Sequence, residues 1–205
     1  MNINIPKDKE ERIFKAAIDE FTKEGYKNAS TNNIVKESGI SKGALFKYFG
    51  NKRNLYIYIV KRSLDVVEVA MVGAMGNLSS DLFERILEGQ KIKLDIANKY
   101  PMETAVIIQC CTTHADEFKE ELKERYSYYE QLGLELTTKG IDYSKFKEGV
   151  DIKKIFTTLT LISYGYTEVL ERQYGGDVNL ILKNYDKIAD ELNSYMSIIK
   201  DSVYK

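Results

Sequence analysis

The sequence predicts an all-α fold, and three observations carry that prediction. Apolar residues recur at three- and four-residue spacing along nearly the whole chain. No alternating pattern of useful strand length interrupts them. Only two prolines, Pro6 and Pro101, occur in 205 residues, so long stretches are free to be helical.

The elements follow in order. Residues 7–24 place Ile13, Phe14, Ala17, Ile18 and Phe21 on one face, and Gly25 stops the helix. Thr31 is placed to cap a helix running to Ser38, and Ser41 one running to Phe49. Between them, Ser38-Gly39-Ile40-Ser41 reads as a tight turn in which Gly39 takes the positive φ that ends the first helix. Ile40 before the cap and Leu45 after it are spaced as a hydrophobic staple that fixes the entry angle. Asn51 caps a longer helix through Leu55, Ile59, Val66 and Val69, and Gly73 and Gly76 interrupt the pattern. Asp81 with Glu84 suggests a capping box opening a helix to about Lys99. Pro101 breaks it, and further helices cover 102–115 and 116–138. A glycine-punctuated loop runs from Gly140 to Gly149. Two last helices, Asp151 to Gln173 and Asp177 to about Tyr204, carry broad apolar stripes.

Charge divides the chain where the glycines do. Residues 1–62 hold 13 basic against 7 acidic side chains, and the remainder 17 against 24, so a net charge of −1 hides a basic end on an acidic body. Two short helices at a fixed angle, on a basic end, are what lets the second helix lie in a DNA major groove while the first braces the backbone. The expected organisation is a helix-turn-helix DNA-binding domain at 1–62, a linking helix to about residue 75, and a second domain at 76–205. No apolar run approaches the roughly 20 residues of a membrane-spanning helix. The segment MNINIPKDKEER lacks the apolar core of a signal peptide, so a cytoplasmic protein is expected.

The combined spacing resembles the N-terminal domain of the TetR (tetracycline repressor) family, from about Ile13 to Ile59. The matching residues are Phe21 and Gly25, Thr31 and Ile34, Ser38-Gly39-Ile40-Ser41-Lys42-Gly43-Ala44-Leu45, then Phe49, Asn51-Lys52 and Leu55. The resemblance implies an all-helical homodimer with a three-helix DNA-binding domain and a larger C-terminal ligand-binding and dimerisation domain. One departure stands out: the family usually has Tyr where this chain has Phe46, which loses a hydroxyl and keeps the aromatic packing.

Chemistry and that match together assign roles. Thr31, at a helix N-terminus, offers its hydroxyl and N–H to a phosphate, and Asn32 is placed to reach a base edge. Ser41, Lys42 and Gly43 open the recognition helix; Lys42 suits guanine or phosphate, and Gly43 lets the backbone come close. Lys47 is a base or phosphate contact one turn on, while similarity to the family puts Tyr48 on the DNA backbone. Lys52 is a further phosphate clamp. Ile155, Leu159, Ile162, Gly165 and Tyr166, with Ile181, Tyr185, Ile188, Leu192 and Tyr195, form a near-3.5-residue seam suited to a dimer of two helices per chain, although packing within one chain explains the stripes too.

Fifteen tyrosines without a tryptophan suggest aromatic surfaces with polar tips. Met102, Val106, Cys110, Tyr126, Phe156 and Tyr164 are the expected lining of a ligand pocket. Adjacent Cys110 and Cys111 form no disulfide framework, and a lone His114 supplies no metal spacing, so neither metal nor cofactor is expected. The absence of any nucleophile–base motif, phosphate loop or metal spacing argues against an all-α enzyme. The reading is a ligand-responsive regulator, most simply a repressor that a small molecule releases from a palindromic operator, with a constitutive or activating DNA-binding protein as the alternative.

Overall fold

A computed structural model describes residues 5–112, 115–175 and 178–205; His114 lies outside them. The described residues form ten α-helices and no strand: α1 Lys7–Asn28, α2 Thr31–Ser38, α3 Lys42–Phe49, α4 Lys52–Ala74, α5 Leu82–Lys99, α6 Pro101–Thr112, α7 Ala115–Thr138, α8 Ile152–Tyr174, α9 Val178–Lys183 and α10 Tyr185–Val203. The helical periodicity therefore translated directly into structure. Gly25, at φ 71° and ψ 164°, breaks the regular geometry of α1 where the sequence ends the helix. Pro101 opens α6, where its missing N–H costs nothing.

The helices sort into two compact units. The first comprises residues to Gly76 together with Asp95–Leu136. Its core joins Ile13, Ala17 and Phe21 of α1, Ile34 of α2, Leu45 and Phe49 of α3, and Leu55, Tyr56 and Ile59 of α4 to Val106, Cys110, Phe118 and Leu122. At the centre Tyr56 meets Phe21 edge-on and Phe118 at a tilt, each with ring centroids 4.9 Å apart. The Gln109 amide donates to the Thr22 carbonyl at 3.0 Å, fastening α6 to α1. Compactness thus does not follow the charge boundary: α6 and α7 pack with α1 and α4. Those pairings join residues far apart in the chain, which local composition does not record.

Ion pairs fasten α7 along α4. Arg53 donates to Glu121 through Nε at 2.9 Å and lies 4.7 Å over the Phe118 ring. Farther along, Arg125 bonds Glu68 at 3.0 Å and also Asp65. The Tyr129 hydroxyl donates to the Leu64 carbonyl at 2.6 Å, and burial raises this phenol to about 12.

The second unit holds Asn77–Leu94 and Thr137–Lys205. Leu159 and Tyr166 of α8 pack on Ile188, Leu192 and Met196 of α10, with Leu82 and Phe83 of α5. The Tyr166 hydroxyl donates to the Ile188 carbonyl at 3.2 Å. Asp81 caps α5 by accepting from the N–H of Phe83 at 3.0 Å and of Glu84 at 3.2 Å. Glu84 does not return the bond as a capping box requires; it accepts from the Ser79 hydroxyl at 2.8 Å instead. Almost fully buried, Asp81 also pairs with Lys145 at 3.0 Å and Lys200 at 3.6 Å. Burial alone would push its carboxyl up; Lys145, the Glu84 N–H and Lys200 outweigh that and hold it below the ordinary range. The chain's end is tied to the same region, with the Lys205 N–H on the Lys145 carbonyl at 3.0 Å.

Two expectations need correcting here. The final helix is not continuous: Asn184, at φ −105° and ψ 14°, divides α9 from α10, and its side-chain amide donates to the Leu180 carbonyl at 2.8 Å. The Asn184 backbone N–H is shared between the Leu180 and Ile181 carbonyls at 3.2 Å each, the tightened last turn of a helix end, and the side-chain amide adds a second bond on Leu180. Within the expected dimer seam, Leu159, Tyr166, Ile188 and Leu192 are buried against one another inside a single chain and are not offered to a second copy. Ile155, Ile162, Ile181 and Tyr185 are half-buried, and Gly165 and Tyr195 are exposed.

Candidate nucleic-acid interface

The turn between α2 and α3 is fixed by caps on both sides. Gly39 adopts φ 64° and ψ 28°, the left-handed conformation that the sequence requires of it. Ser41 caps α3, its hydroxyl oxygen accepting from the Ala44 N–H at 3.1 Å. Asn51 caps α4 in the same way, accepting from the Asn54 N–H at 2.8 Å. Ile40 is half-buried against the core and Leu45 fully buried, as a staple demands. From α1, Arg12 donates to the Ser38 carbonyl at 2.7 Å, so the turn is held to the helix behind it.

The cap of α2 lies one residue earlier than expected. Ser30, not Thr31, is the capping residue, accepting from the Asn33 N–H at 3.4 Å. Glu20 of α1 in turn accepts from the Ser30 N–H at 2.7 Å and the Asn33 amide at 3.4 Å. A Ser-Thr pair leaves the cap ambiguous by one position. Thr31 becomes the first helical residue, its hydroxyl free of the capping role and half-exposed beside the exposed Asn32.

Along α3 the two faces separate cleanly. Leu45 and Phe49 are buried and Ala44 and Tyr48 half-buried, whereas Lys42, Gly43, Phe46 and Lys47 are exposed. Residues 42, 43, 46 and 47 share one side of a helix with 3.6 residues per turn. Apart from its chain neighbours and the backbone of its own helix, no heavy atom lies within 4 Å of where a Gly43 Cβ would sit, so this side is open to close approach by another molecule. Tyr48 rests against the core and is not fully presented. Lys52 is more engaged than expected. Its ammonium donates to the Lys27 carbonyl at 3.0 Å and the Ala29 carbonyl at 3.1 Å, and sits 5.1 Å from the Tyr26 ring centroid. It buttresses the α1–α2 connection, a role that no local pattern signals.

The expected pocket residues are divided. Met102, Val106, Cys110 and Tyr126 lie together in the first unit, with the Tyr126 hydroxyl 3.5 Å from the Cys110 sulfur. Burial pushes both the Tyr126 phenol and the Cys110 thiol up. Val106 and Cys110 are packed to 0% and 1% exposure, so they are wall rather than open surface. Phe156 belongs to the second unit's core, and Tyr164, 67% exposed, does not line an interior. Among the described residues no group of three His, Cys, Asp or Glu side chains is placed to hold a metal, and no helix is long and apolar enough to cross a membrane.

Comparison with known proteins places this geometry in company. Residues 13–59 match the model for bacterial regulatory proteins of the tetR family. An HTH-type transcriptional regulator of Staphylococcus aureus strain USA300 is 26% identical over 160 residues, covering 75% of this chain and 80% of that protein. A TetR-like transcriptional regulator from Rhodococcus sp. RHA1 superposes with a TM-score of 0.62 at 21% identity, over 93% of this chain and 95% of the other. A fatty acid degradation regulator from Bacillus halodurans superposes at 0.55 and 20% identity, over 92% and 95%. At such identities the structural likenesses speak to the fold.

Proposed function

Because the chain is a TetR-family DNA-binding transcriptional regulator and not an enzyme, we propose that it acts as a repressor, released from a palindromic operator by a small molecule. In this reading residues 1–62 read the DNA, the helix running to about residue 75 links, and 76–205 bind the effector and dimerise. The observation that carries it is the outward face of α3, where Lys42, Gly43 and Lys47 stand clear of the protein on a helix whose entry angle three caps determine. Lys42 and Lys47 address guanine edges or phosphates, and Thr31 and Asn32 address the phosphate backbone and a base edge from the start of α2. Ser41 contributes its hydroxyl proton, since its oxygen is spent on the cap. Tyr48 and Lys52 supply flanking backbone contacts, Lys52 with whichever of its three protons the carbonyls of Lys27 and Ala29 leave over.

A two-fold protein suits a two-fold site, with two α3 helices in major grooves about 34–36 Å apart. The support for a dimer is the apolar surface that one chain leaves uncovered: Leu161, Tyr164 and Val169 on α8, 66%, 67% and 51% exposed, and Tyr195 and Ile198 on α10. These flank the inward seam rather than repeat it. For effector control, the support is that Val106 and Cys110 of α6 share a core with α1 and α4. A ligand that displaced α6 would move the helices carrying the reading head. Such coupling is typically worth about 1–3 kcal/mol, five- to 150-fold in operator affinity.

The test is a gel shift with the full-length chain on duplexes from its own upstream region, repeated while candidate small molecules are titrated in. A sequence-specific complex that a ligand dissolves supports the proposal. A specific complex that no ligand affects leaves a constitutive regulator, and no specific complex overturns the reading.

A further inference from the structure

We propose that Phe46 is a specificity-determining residue that reads thymine, its exposed phenyl surface receiving the C5-methyl group in the major groove. The inference rests on α3 being the groove-reading helix. Phe46 stands on the same side of α3 as Lys42, Gly43 and Lys47, and 36% of it is exposed. Its neighbours in sequence show that this is not a core position: Leu45 is 1% exposed and Phe49 2%. Phe46 borders a depression that Leu45, Phe49 and Leu55 also line, together with Thr31, Asn51 and Lys52.

The chemistry then selects the partner. Phenylalanine has neither donor nor acceptor, so it takes nothing from a phosphate or from the polar edges of guanine, cytosine or adenine. Thymine alone presents an apolar group in the major groove, its C5-methyl, and an apolar side chain is its natural contact. Gly43, one turn before, has open space where a Cβ would stand, so a base edge can come down beside the ring. Lys42 and Lys47 on either side address the polar groups of neighbouring pairs or the phosphates. Phe46 therefore carries sequence information that charge contacts do not.

The experiment selects duplexes from a randomised pool with the full-length chain. It then replaces each thymine of one half-site singly by deoxyuridine, which removes only the methyl and keeps the pairing. Affinities are measured by fluorescence anisotropy for the native chain and for Phe46→Ala, with helicity checked by circular dichroism. At one or two positions deoxyuridine is expected to weaken native binding about three- to fivefold, the worth of one buried methyl. The same replacement is expected to leave Phe46→Ala unmoved, while Phe46→Tyr, which keeps the ring, retains the dependence. Native binding indifferent to every replacement overturns the proposal whatever the variants do, and so does a methyl dependence that survives unchanged in Phe46→Ala. If no duplex is enriched at all, the failure lies with DNA reading by α3, and this proposal falls with it.

Discussion

Replacing Gly39 by alanine probes the joint on which the interface depends. The residue sits at φ +64°, and a Cβ added there would lie 3.0 Å from Nη1 of Arg12, the nitrogen that donates to the Ser38 carbonyl at 2.7 Å. A non-glycine residue in this conformation costs about 1–2 kcal/mol. The half-exposed guanidinium, at the end of a flexible side chain, must give by a few tenths of an ångström, which weakens its bond to the Ser38 carbonyl and adds up to about 1 kcal/mol. Against this, alanine lowers the entropy of the unfolded chain and returns about 0.4–1 kcal/mol. The net expectation is a loss of about 1 kcal/mol, reaching about 2.5 at most, read as a fall in Tm of roughly 3–8 °C for a chain of this length. Thermal and urea unfolding, followed by circular dichroism, measure it directly. Gly39→Asn should lose less, because asparagine tolerates the left-handed region. Gly43→Ala is the opposite case: in a helix and in open space, it should gain up to about 1 kcal/mol in stability while weakening specific DNA binding. A Gly39→Ala protein as stable as the native one would refute the geometry assigned to the turn.

Other consequences are separable. Asp81 is held below the ordinary carboxylate range, so its contribution is present above about pH 4 and is lost as acid protonates it; Asp81→Asn should flatten that part of the stability–pH curve, and an unchanged curve would count against the Lys145 and Lys200 pairs. Alkylation by iodoacetamide should modify exposed Cys111 before Cys110, whose thiol burial pushes up; equal labelling in the native state would contradict the packing of α6. Leu161→Glu with Tyr164→Glu should shift sedimentation towards monomer without unfolding the chain, whereas Leu159→Ala, at a buried position, should cost about 2–5 kcal/mol in stability.

The helix-turn-helix was legible because its determinants are local. Gly39, Ser41 and Asn51 act on backbone groups within three residues of themselves, and all three do what their chemistry requires. The cap at Ser30 was missed by one position because two hydroxyl residues stand side by side. The division at Asn184 was invisible because the apolar spacing runs through it, and asparagine forbids neither continuation nor interruption. An amphipathic stripe also does not say what covers it. Leu159 and Tyr166 cover α10 of their own chain, and the uncovered residues, Leu161, Tyr164 and Val169, are offset around the helix. Long-range fastenings such as Arg125 to Glu68, Gln109 to Thr22 and Lys52 to the Lys27 carbonyl leave no trace in local sequence. Among the expected DNA contacts, the exposed side of α3 is readable from helical periodicity alone, whereas Phe156 and Cys110 fall in different units through long-range packing that local sequence does not record.

The most direct measurement is the stoichiometry and symmetry of binding to a duplex selected from random sequence, taken at several salt concentrations. Two chains on one duplex are expected, with two-fold-related half-sites spaced so that their major grooves lie on one side of the helix. The salt slope should fall when Lys42 or Lys47 becomes alanine. A chain that enriches no sequence, or that binds singly to an asymmetric site with an unchanged salt slope in both variants, would contradict a paired groove reader.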